Sequence, residues 1–486
     1  MKITTKNFGY KKLYIDGNLV DAKSGERYNI TCPANGEVIA QVAKGSEHEA
    51  EIALKSAKRG FEMWSKLSLS ERTSWMLKLR MAVLEKEELL RTAMVHEMGK
   101  TYAGAYEDIE ALVNSLEWYP ATMKNYREEQ IPDYENTHIH KMIAKPAGVA
   151  VAYLTWNFPL LNIGFKIGPA LASGCTLIIR PSEISPLSAY MLGEILHDIN
   201  FPPGVVNIIA GPSSKVAKVM TASKIPAVLT MIGSTTTGLK IIEESTTSIK
   251  KFGMELGGNA PFIVFEDADM EQSLDLAIAL KYGNTGQICV AANRIMVHKN
   301  VYNKFVEAYV KRANEVVLGF GTKENPEVFM GPMASRKGRD RMFNLIQDAV
   351  DKGASLVYGG GIPDNLPKGG HWIQPTVVTG VTQDMLLFRE EIFGPVAGIM
   401  SFDSDDEALA LANDTEFGLA SYIFSNNHKR IERFTNELEF GEVHINGVKY
   451  AIYLPHGGFK NSGLGHDCSH LALEDYLVKK RVTTAI

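Results

Sequence analysis

Short apolar runs alternate with helix-like stretches between residues 148 and 233. The apolar runs are GVAVAYLT, CTLIIRP, GVVNIIAG and AVLTMIG, and the stretches between them are NIGFKIGPALAS, SAYMLGEILHDI and SKVAKVMTAS. Short apolar runs rich in valine and isoleucine are typical of buried strands, whereas apolar spacings of three and four are typical of helices. The alternation therefore predicts βαβ units, that is, a parallel sheet covered by helices on its faces.

A second series of the same kind begins after Gly257. It runs through PFIVF, MEQSLDLAIALKY, RIMVH and YNKFVEAYVKRANEVV. The change of series predicts two α/β domains that meet near residues 255 to 260. The first series is interrupted by the polar segment KNYREEQIPDYENTHIHKMIA, whose many charges predict a hairpin arm that leaves the domain.

Length and charge narrow the class of protein. A chain of 486 residues is too long for one core, and 45% apolar with 22% charged residues is ordinary for a globular protein. The net charge of −5 argues against nucleic acid or an anionic membrane as the main partner and favours a small molecule. The N-terminus has no apolar segment typical of a secretory signal, and the most apolar region is broken by proline and asparagine, so we expect a cytoplasmic protein.

The four cysteines, at positions 32, 175, 289 and 468, are far apart and form no CxxC pair. This spacing predicts reduced thiols, with neither a disulfide framework nor a metal site. Cys289 follows a loop built from Gly283, Asn284, Thr285 and Gly286. A buried apolar filler between Ile288 and Val290 is the simplest interpretation of such a cysteine, unless partners elsewhere in the chain indicate chemistry.

No GxGxxG or P-loop motif follows any predicted strand. Gly211 and the run GSTTTG, from Gly233 to Gly238, do stand where a strand leads into a helix. The first turn of a helix offers free N–H groups to a phosphate. Turn glycines and an N-cap at Ser234 explain either motif equally well when it is taken alone.

Three distant stretches carry the residue types that acyl chemistry through a thiol requires. They are YLTWNFPLL with Asn157, GMELGGNAP with Glu255, and GNTGQICVAANR with Cys289. With RPSE, GSTTTG, EEIFGPV and PHGGFKNSG in the same order, the chain resembles the aldehyde dehydrogenase superfamily, in its hydrolytic branch, over nearly its whole length. One such motif is weak, but the ordered set is specific.

The resemblance implies a catalytic trio. Cys289 would attack the aldehyde carbon as a thiolate. The Asn157 amide and the backbone N–H of Cys289 would stabilise the oxyanion. Glu255 would act as general base on the water that hydrolyses the thioester. A cysteine hydrolase is a rival interpretation, but no histidine stands in a recognisable catalytic motif; a non-catalytic structural relative is another.

The resemblance also implies a cofactor cleft that prefers NAD, with NADP less favoured. Glu183 would bind the adenosine ribose and repel a 2′-phosphate, whereas Arg180, where most members have lysine, would attract one. Glu391 would bind the nicotinamide ribose, Phe393 would pack on the ring, and Ser234 would reach the pyrophosphate. The full set of expected cofactor-binding residues is Thr155, Trp156, Arg180, Ser182, Glu183, Gly211, Gly233, Ser234, Leu256, Glu391 and Phe393.

The substrate is expected to be a small polar aldehyde of the lactaldehyde or glycolaldehyde kind. Phe165 and Gly283 stand where succinate semialdehyde dehydrogenases have arginines, so a distal carboxylate would lose its usual partners. Lys449 could still capture an anionic tail, which keeps a carboxylated or sulfonated semialdehyde as the alternative. The expected substrate-binding residues are Phe165, Ile288, Val290, Lys449, Tyr450 and His456.

By the same resemblance, the fold is α/β, with a Rossmann-type cofactor domain at 1–122 and 144–256 and an α/β catalytic domain at 257–455. Residues 123–143 form a β-hairpin oligomerisation arm, and 456–486 belong with it as a C-terminal tail. Arm and tail would pair between subunits of a homodimer or homotetramer.

Overall fold

The computed structural model describes residues 3–126 and 128–486. Met1, Lys2 and Arg127, which fall in the ranges predicted for the cofactor domain and the arm, lie outside the described residues. The strands are β1 (Tyr10–Lys11), β2 (Leu13–Ile15), β3 (Asn18–Val20), β4 (Arg27–Thr31), β5 (Val38–Ala43), β6 (Glu129–Ile131), β7 (His138–Pro146), β8 (Val149–Tyr153), β9 (Thr176–Arg180), β10 (Val206–Ile208), β11 (Pro226–Ile232), β12 (Lys251–Glu255), β13 (Pro261–Val264), β14 (Arg294–His298), β15 (Ser355–Tyr358), β16 (Thr376–Thr379), β17 (Val396–Phe402), β18 (Phe417–Gly418), β19 (Ala420–Phe424), β20 (Glu442–Ile445), β21 (Phe459–Lys460), β22 (Gly463–Leu464) and β23 (Leu477–Ala485).

The helices are α1 (Glu47–Trp64), α2 (Leu69–Glu85), α3 (Glu87–Met98), α4 (Gly104–Met123), α5 (Leu161–Ser173), α6 (Leu187–Asp198), α7 (Lys218–Ala222), α8 (Thr235–Glu244), α9 (Met270–Tyr282), α10 (Lys299–Glu315), α11 (Arg336–Asp351), α12 (Leu386–Arg389), α13 (Asp405–Asn413), α14 (His428–Glu437) and α15 (Leu471–Tyr476). Side chains fix several of the helix starts. Ser46 and Glu49 form a capping box at α1, and Ser234 and Asp269 cap α8 and α9.

The first large sheet has eight strands in the order β22-β12-β11-β8-β9-β10-β2-β3. Strands β12, β11, β8, β9 and β10 run parallel, while β22, β2 and β3 add antiparallel edges. Every residue of β8 is buried, because helices cover both faces of the sheet. The βαβ prediction for residues 148 to 233 is confirmed.

The second large sheet has seven strands in the order β15-β16-β17-β14-β13-β19-β20, and only β15 is antiparallel. Residues 256 to 260 link β12 of the first sheet to β13 of the second. The carboxyl ends of β8, β11 and β12 therefore open towards the second domain. Parallel sheets commonly bind ligands at this edge.

The arm is a three-stranded sheet in the order β23-β7-β6. Strand β23 pairs with β7 of its own chain from Leu477 to Ala485, and pairing between subunits stays a prediction. The predicted tail, 456–486, also contains β22, which belongs to the first large sheet and not to the arm. There Gly463 pairs with Glu255, and Leu464 pairs with Met254. The sheet has two edge strands, β23 and β6, and β23 is the longer of the two.

Two further observations concern the hydropathy of the helices and the state of the cysteines. Within 3–126 and 128–486, no helix is long and apolar enough to cross a membrane. All four cysteines are free thiols, and three of them are buried. Cys289 alone among them is partly exposed.

Candidate active site

A cavity of about 1370 Å³ lies between the two large sheets. Its walls include all three members of the expected trio, Asn157, Glu255 and Cys289, which come from three separate places in the chain. Asn157 follows β8, Glu255 is the last residue of β12, and Cys289 lies in the loop between α9 and β14. The strand order brings them together, because β8 and β12 both flank β11.

A strained turn presents Cys289 to the cavity. Asn284 and Thr285 have φ values of 48° and 59°, a left-handed conformation that costs energy for residues other than glycine. Gly286 has φ 68°, and a Cβ there would lie 2.3 Å from the carbonyl oxygen of Gly394. The loop GNTG therefore ends α9 sharply and packs backbone against backbone, which fixes the position of the thiol that follows.

Asn157 is tied to the loop that carries Cys289. Its Nδ2 donates to the carbonyl of Gln287 at 3.1 Å. Asn284 Nδ2 donates in turn to the carbonyl of Asn157 at 3.1 Å. One N–H of the Asn157 amide is thus engaged by the loop, and the other is the one free to meet an oxyanion.

Glu255 is buried at the end of β12, and its Oε1 accepts no hydrogen bond from any described residue. The backbone after it runs very close to the nucleophile, since a Cβ at Gly258 would lie 2.1 Å from the carbonyl oxygen of Cys289. Only glycine permits this approach. A buried carboxylate held beside a thiol fits the role expected of Glu255.

His456 stands beside the trio. Its Nδ1 lies 2.6 Å from Glu442 Oε1, and its Nε2 lies 3.4 Å from Glu255 Oε1. Ligand-type atoms of Glu255, Cys289 and His456 all lie within 4.8 Å of one another. His456 was expected at the substrate mouth, and no histidine was expected beside the nucleophile. In the structure His456 lies beside the thiol.

Charges around His456 are strongly coupled. Burial works against the cationic form, yet the charge of Glu442 and hydrogen bonds to Cys289, Glu255 and Glu442 raise the pKa of His456 well above its usual value. Burial likewise opposes ionised Glu442, but His456 and His444 lower its pKa to about 2. Burial and the charge of Glu255 raise the pKa of Cys289 to about 12, with His456 acting in the opposite direction.

Thiol, imidazole and carboxylate are also zinc ligands. Across the described parts of the chain, Glu255, Cys289 and His456 form the one group of such residues close enough to share a metal ion. No metal site was expected from the sequence. The spacing of these residues along the chain gave no ligand motif.

The cofactor side of the cavity begins at the N-terminus of α8, where Gly233, Ser234, Thr235 and Thr236 line it. A helix N-terminus of this kind suits a pyrophosphate. Thr155 and Leu256 also line the cavity, as do Trp156 and Phe393, whose rings meet edge to face with centroids 5.4 Å apart.

Glu391 lies further along the same wall, where its Oε1 accepts a hydrogen bond from the backbone N–H of Gly258 at 3.0 Å. Burial, with a smaller effect from Glu255, raises the pKa of Glu391 to about 7. The cavity thus extends from the N-terminus of α8 to the thiol. Its residues fit a dinucleotide.

Four expected cofactor residues do not line this cavity: Arg180, Ser182, Glu183 and Gly211. Arg180 Nη2 donates to Glu183 Oε1 at 3.1 Å, to the Gly211 carbonyl at 2.8 Å and to Ser213 Oγ at 2.9 Å. Gly211 itself packs against Gly45, whose carbonyl oxygen would lie 2.4 Å from an added Cβ. These residues form a network of their own near the ends of β9 and β10.

The substrate side contains all six expected residues, Phe165, Ile288, Val290, Lys449, Tyr450 and His456. Tyr422 was missed; its hydroxyl donates to the Val290 carbonyl at 2.6 Å and lies 3.0 Å from the Tyr450 hydroxyl. Glu442 and His444 were also missed; they alternate on β20 and so lie on one face of the strand. Lys337, also in the lining, carries no signal in the sequence pattern.

A thiol at the bottom of a cleft long enough for a dinucleotide is the arrangement of an oxidoreductase that works through a covalent acyl intermediate. Known proteins agree: the model of the aldehyde dehydrogenase family matches residues 19–482. The chain therefore belongs to the aldehyde dehydrogenase family, whose members oxidise aldehydes with NAD(P).

Among similar proteins, succinate-semialdehyde dehydrogenase (NADP(+)) of Escherichia coli strain K12 is 36% identical over 478 residues, 98% of each chain. A 3-sulfolactaldehyde dehydrogenase of Pseudomonas putida is 37% identical over 473 residues, 97% of this chain and 96% of the relative. The crystal structure of betaine aldehyde dehydrogenase from Staphylococcus aureus in complex with NAD+ matches with a TM-score of 0.94 and 34% identity, over 98% of this chain and 95% of that one.

Proposed function

We propose that this aldehyde dehydrogenase oxidises a small, uncharged, hydroxylated aldehyde to its carboxylic acid, with NAD preferred. The observation that carries the proposal is the meeting of Asn157, Glu255 and Cys289 at one cavity whose lining also includes Phe165 and Tyr450. A non-catalytic relative would have no need to keep these three side chains together.

The reaction divides among the three residues. The Cys289 thiolate attacks the aldehyde carbon, and the oxygen that becomes negative is met by the free N–H of the Asn157 amide. A bound nicotinamide supplies a hydride acceptor. Cys289 then carries the acyl group as a thioester, and Glu255 takes a proton from the water that attacks it.

The preference for NAD over NADP rests on the network around Arg180. Its Nη2 is already shared among Glu183, the Gly211 carbonyl and Ser213. A 2′-phosphate would have to break these bonds to gain the guanidinium, and it would also meet the Glu183 carboxylate. This supports NAD, although a relative of similar identity is named for NADP(+).

The choice of an uncharged aldehyde rests on the wall near Cys289. Phe165 faces His456 with ring centroids 6.2 Å apart, and Tyr450 faces it at 6.1 Å. The hydroxyl of Tyr450 and the imidazoles of His444 and His456 offer hydrogen bonds to a hydroxyl group on the substrate. The positive charge of His456 is matched by Glu442, so it is not free for a distal carboxylate.

An anionic semialdehyde is the second candidate. Lys449 lies in the lining, is exposed, and its Nζ sits 5.8 Å from the centre of the Tyr453 ring. It could meet an anionic tail at the mouth. Two relatives at 36% and 37% identity are named for succinate semialdehyde and 3-sulfolactaldehyde, which favours the same candidate.

A panel of aldehydes with NAD and with NADP tests both candidates, with NADH or NADPH absorbance as the readout. We expect lactaldehyde or glycolaldehyde to give the highest kcat/KM. A succinate semialdehyde value more than tenfold above that of lactaldehyde, lost in Lys449→Ala, would establish the anionic candidate instead. Lys311→Ala, at a lysine on α10 outside the cavity lining, is the matched control.

We also propose a homodimer or homotetramer assembled through the arm. The strand β23 leaves one edge of the arm sheet open, and an open edge can add a strand from a second copy. Light scattering after size-exclusion chromatography should give two or four times the chain mass of 53.6 kDa. Removal of β23 should lower that mass; an unchanged assembly would place the interface elsewhere.

A further inference from the structure

The cluster of Glu255, Cys289 and His456 offers one metal ion three different ligands: a carboxylate oxygen, a sulfur and an imidazole nitrogen. These ligand atoms all lie within 4.8 Å of one another. His456 Nε2 and Glu255 Oε1 are 3.4 Å apart, and the buried Oε1 accepts no hydrogen bond from any described residue. Mixed sulfur, nitrogen and oxygen ligands favour Zn²⁺, whereas Mg²⁺ and Ca²⁺ are bound by oxygen alone.

We propose that this cluster is an inhibitory zinc site: Cys289 Sγ, His456 Nε2 and Glu255 Oε1 bind one Zn²⁺, which reversibly blocks aldehyde oxidation. A water from the cavity takes the fourth position, as in other zinc sites with three protein ligands. The ion occupies both the sulfur that attacks the aldehyde and the carboxylate that activates water, so neither step can proceed. The inhibition rests on the proposed function, whereas the binding of zinc does not.

The distances fit a tetrahedral ion. With Zn–N and Zn–O bonds of about 2.1 Å and a Zn–S bond of about 2.3 Å, neighbouring ligand atoms lie about 3.4 to 3.6 Å apart. The separation of His456 Nε2 and Glu255 Oε1, 3.4 Å, already has this value. Cys289 Sγ, within 4.8 Å of both atoms, needs to approach by no more than about 1.2 Å. Cys289 is partly exposed and lines the cavity, which gives the metal a path to the site.

Glu442 provides the support that metal-binding histidines usually have. Its Oε1 lies 2.6 Å from His456 Nδ1, and both side chains are about 10% exposed. A carboxylate on one ring nitrogen orients the imidazole and leaves the other nitrogen to the metal. The backbone of His456 also exchanges two hydrogen bonds with Asp467, at 2.8 and 2.7 Å. The ring is therefore held in place before a metal arrives.

Zinc binding exchanges protons for the metal. The S–H bond of Cys289 breaks, its electron pair stays on Sγ and coordinates the ion, and the proton on His456 Nε2 is displaced in the same way. Both protons pass to solvent. The two carboxylates of the site, Glu255 and Glu442, keep their negative charges and attract the cation.

The test is direct binding of Co²⁺ and Zn²⁺ to the full chain, freed of metal with EDTA and desalted, with neither cofactor nor aldehyde. Co²⁺ substitutes for Zn²⁺, and a thiolate ligand gives it an intense charge-transfer band in the near ultraviolet. We expect one Co²⁺ per chain with this band, and displacement of the band by Zn²⁺. The band should be absent in Cys289→Ala and present in Cys468→Ala, a second cysteine of the cavity lining.

The affinity for Zn²⁺, measured by competition with Co²⁺, tests the other ligands. Glu442→Gln should weaken binding ~10- to 100-fold, the usual effect of losing a carboxylate behind a ligating histidine. His456→Phe and Glu255→Gln each remove a ligand and should weaken it further. The matched controls, His470→Phe and Glu439→Gln, are the same changes at exposed positions and should bind like the wild type. Circular dichroism checks that each variant is folded.

Zn²⁺ should also stop NADH formation, EDTA should restore it, and Mg²⁺ at the same concentration should have no effect. In Glu442→Gln the inhibitory concentration should rise by the same factor as the dissociation constant. A charge-transfer band that survives in Cys289→Ala, unchanged affinity in His456→Phe, or full activity with zinc bound would overturn the proposal. A chain that oxidises no aldehyde would contradict the proposed function alone, because the cobalt spectra report the metal site without turnover.

Discussion

Gly258 gives a direct way to displace the nucleophile without changing any side chain of the trio. A Cβ at this position would lie 2.1 Å from the carbonyl oxygen of Cys289, whereas real Cβ contacts essentially never fall below 3.0 Å. The atom in the way belongs to the backbone, so no side chain can rotate to relieve the clash. Gly258→Ala must therefore push the two segments apart by about 1 Å, and a misplacement of that size typically costs ~10²-fold in rate.

The assay is kcat/KM for lactaldehyde with NAD, together with the alkylation rate of Cys289 in the free enzyme. Gly283→Ala is the matched control: Gly283 lies in the same nucleophile loop, has φ −55°, and an added Cβ would meet nothing within 4 Å. We expect a loss of about 10²-fold in Gly258→Ala and less than twofold in Gly283→Ala, with both variants folded by circular dichroism. Wild-type activity in a folded Gly258→Ala would refute the close approach.

Three other predictions concern the proposed roles. Glu255→Gln should give a burst of NADH followed by slow turnover, whereas Cys289→Ala should give neither; loss of the burst in both, seen by stopped flow, would mean that Glu255 also serves acylation. Glu183→Ala should raise kcat/KM with NADP relative to NAD, because it removes the repelling carboxylate; an unchanged ratio would contradict its contact with the ribose. Phe165→Arg should raise the kcat/KM for succinate semialdehyde relative to lactaldehyde at least ~10-fold, because the guanidinium adds a charge-assisted partner for the carboxylate. An unchanged ratio would show that Phe165 does not determine the choice of substrate.

Elements with a strong local pattern could be predicted from the sequence. The stretches MEQSLDLAIALKY and RIMVH coincide with α9 and β14, because Asp269 caps the helix, the loop at Gly283 ends it, and the strand is wholly buried. The resemblance alone predicted that Asn157 and Glu255 lie beside Cys289. Asn157 follows strand β8, and Glu255 is the last residue of strand β12.

Features that depend on irregular chain could not be predicted in the same way. His456 lies in a loop without periodicity, and its place beside Cys289 is set by backbone bonds to Asp467 and by Glu442 on another strand. The hydrogen bonds of Arg180 depend on a turn at Gly211 that only the fold brings near. The sequence of β23 shows a strand, but nothing in it indicates whether the partner strand belongs to the same chain.

The most direct test of the central claim is to trap the acyl group on Cys289. Glu255→Gln is mixed with NAD and lactaldehyde, quenched in acid within the burst, digested and analysed by mass spectrometry. The account predicts a lactyl thioester on the peptide that contains Cys289, in an amount equal to the NADH formed. NADH formed without any adduct on Cys289, or an adduct on another residue, would contradict oxidation through a Cys289 thioester.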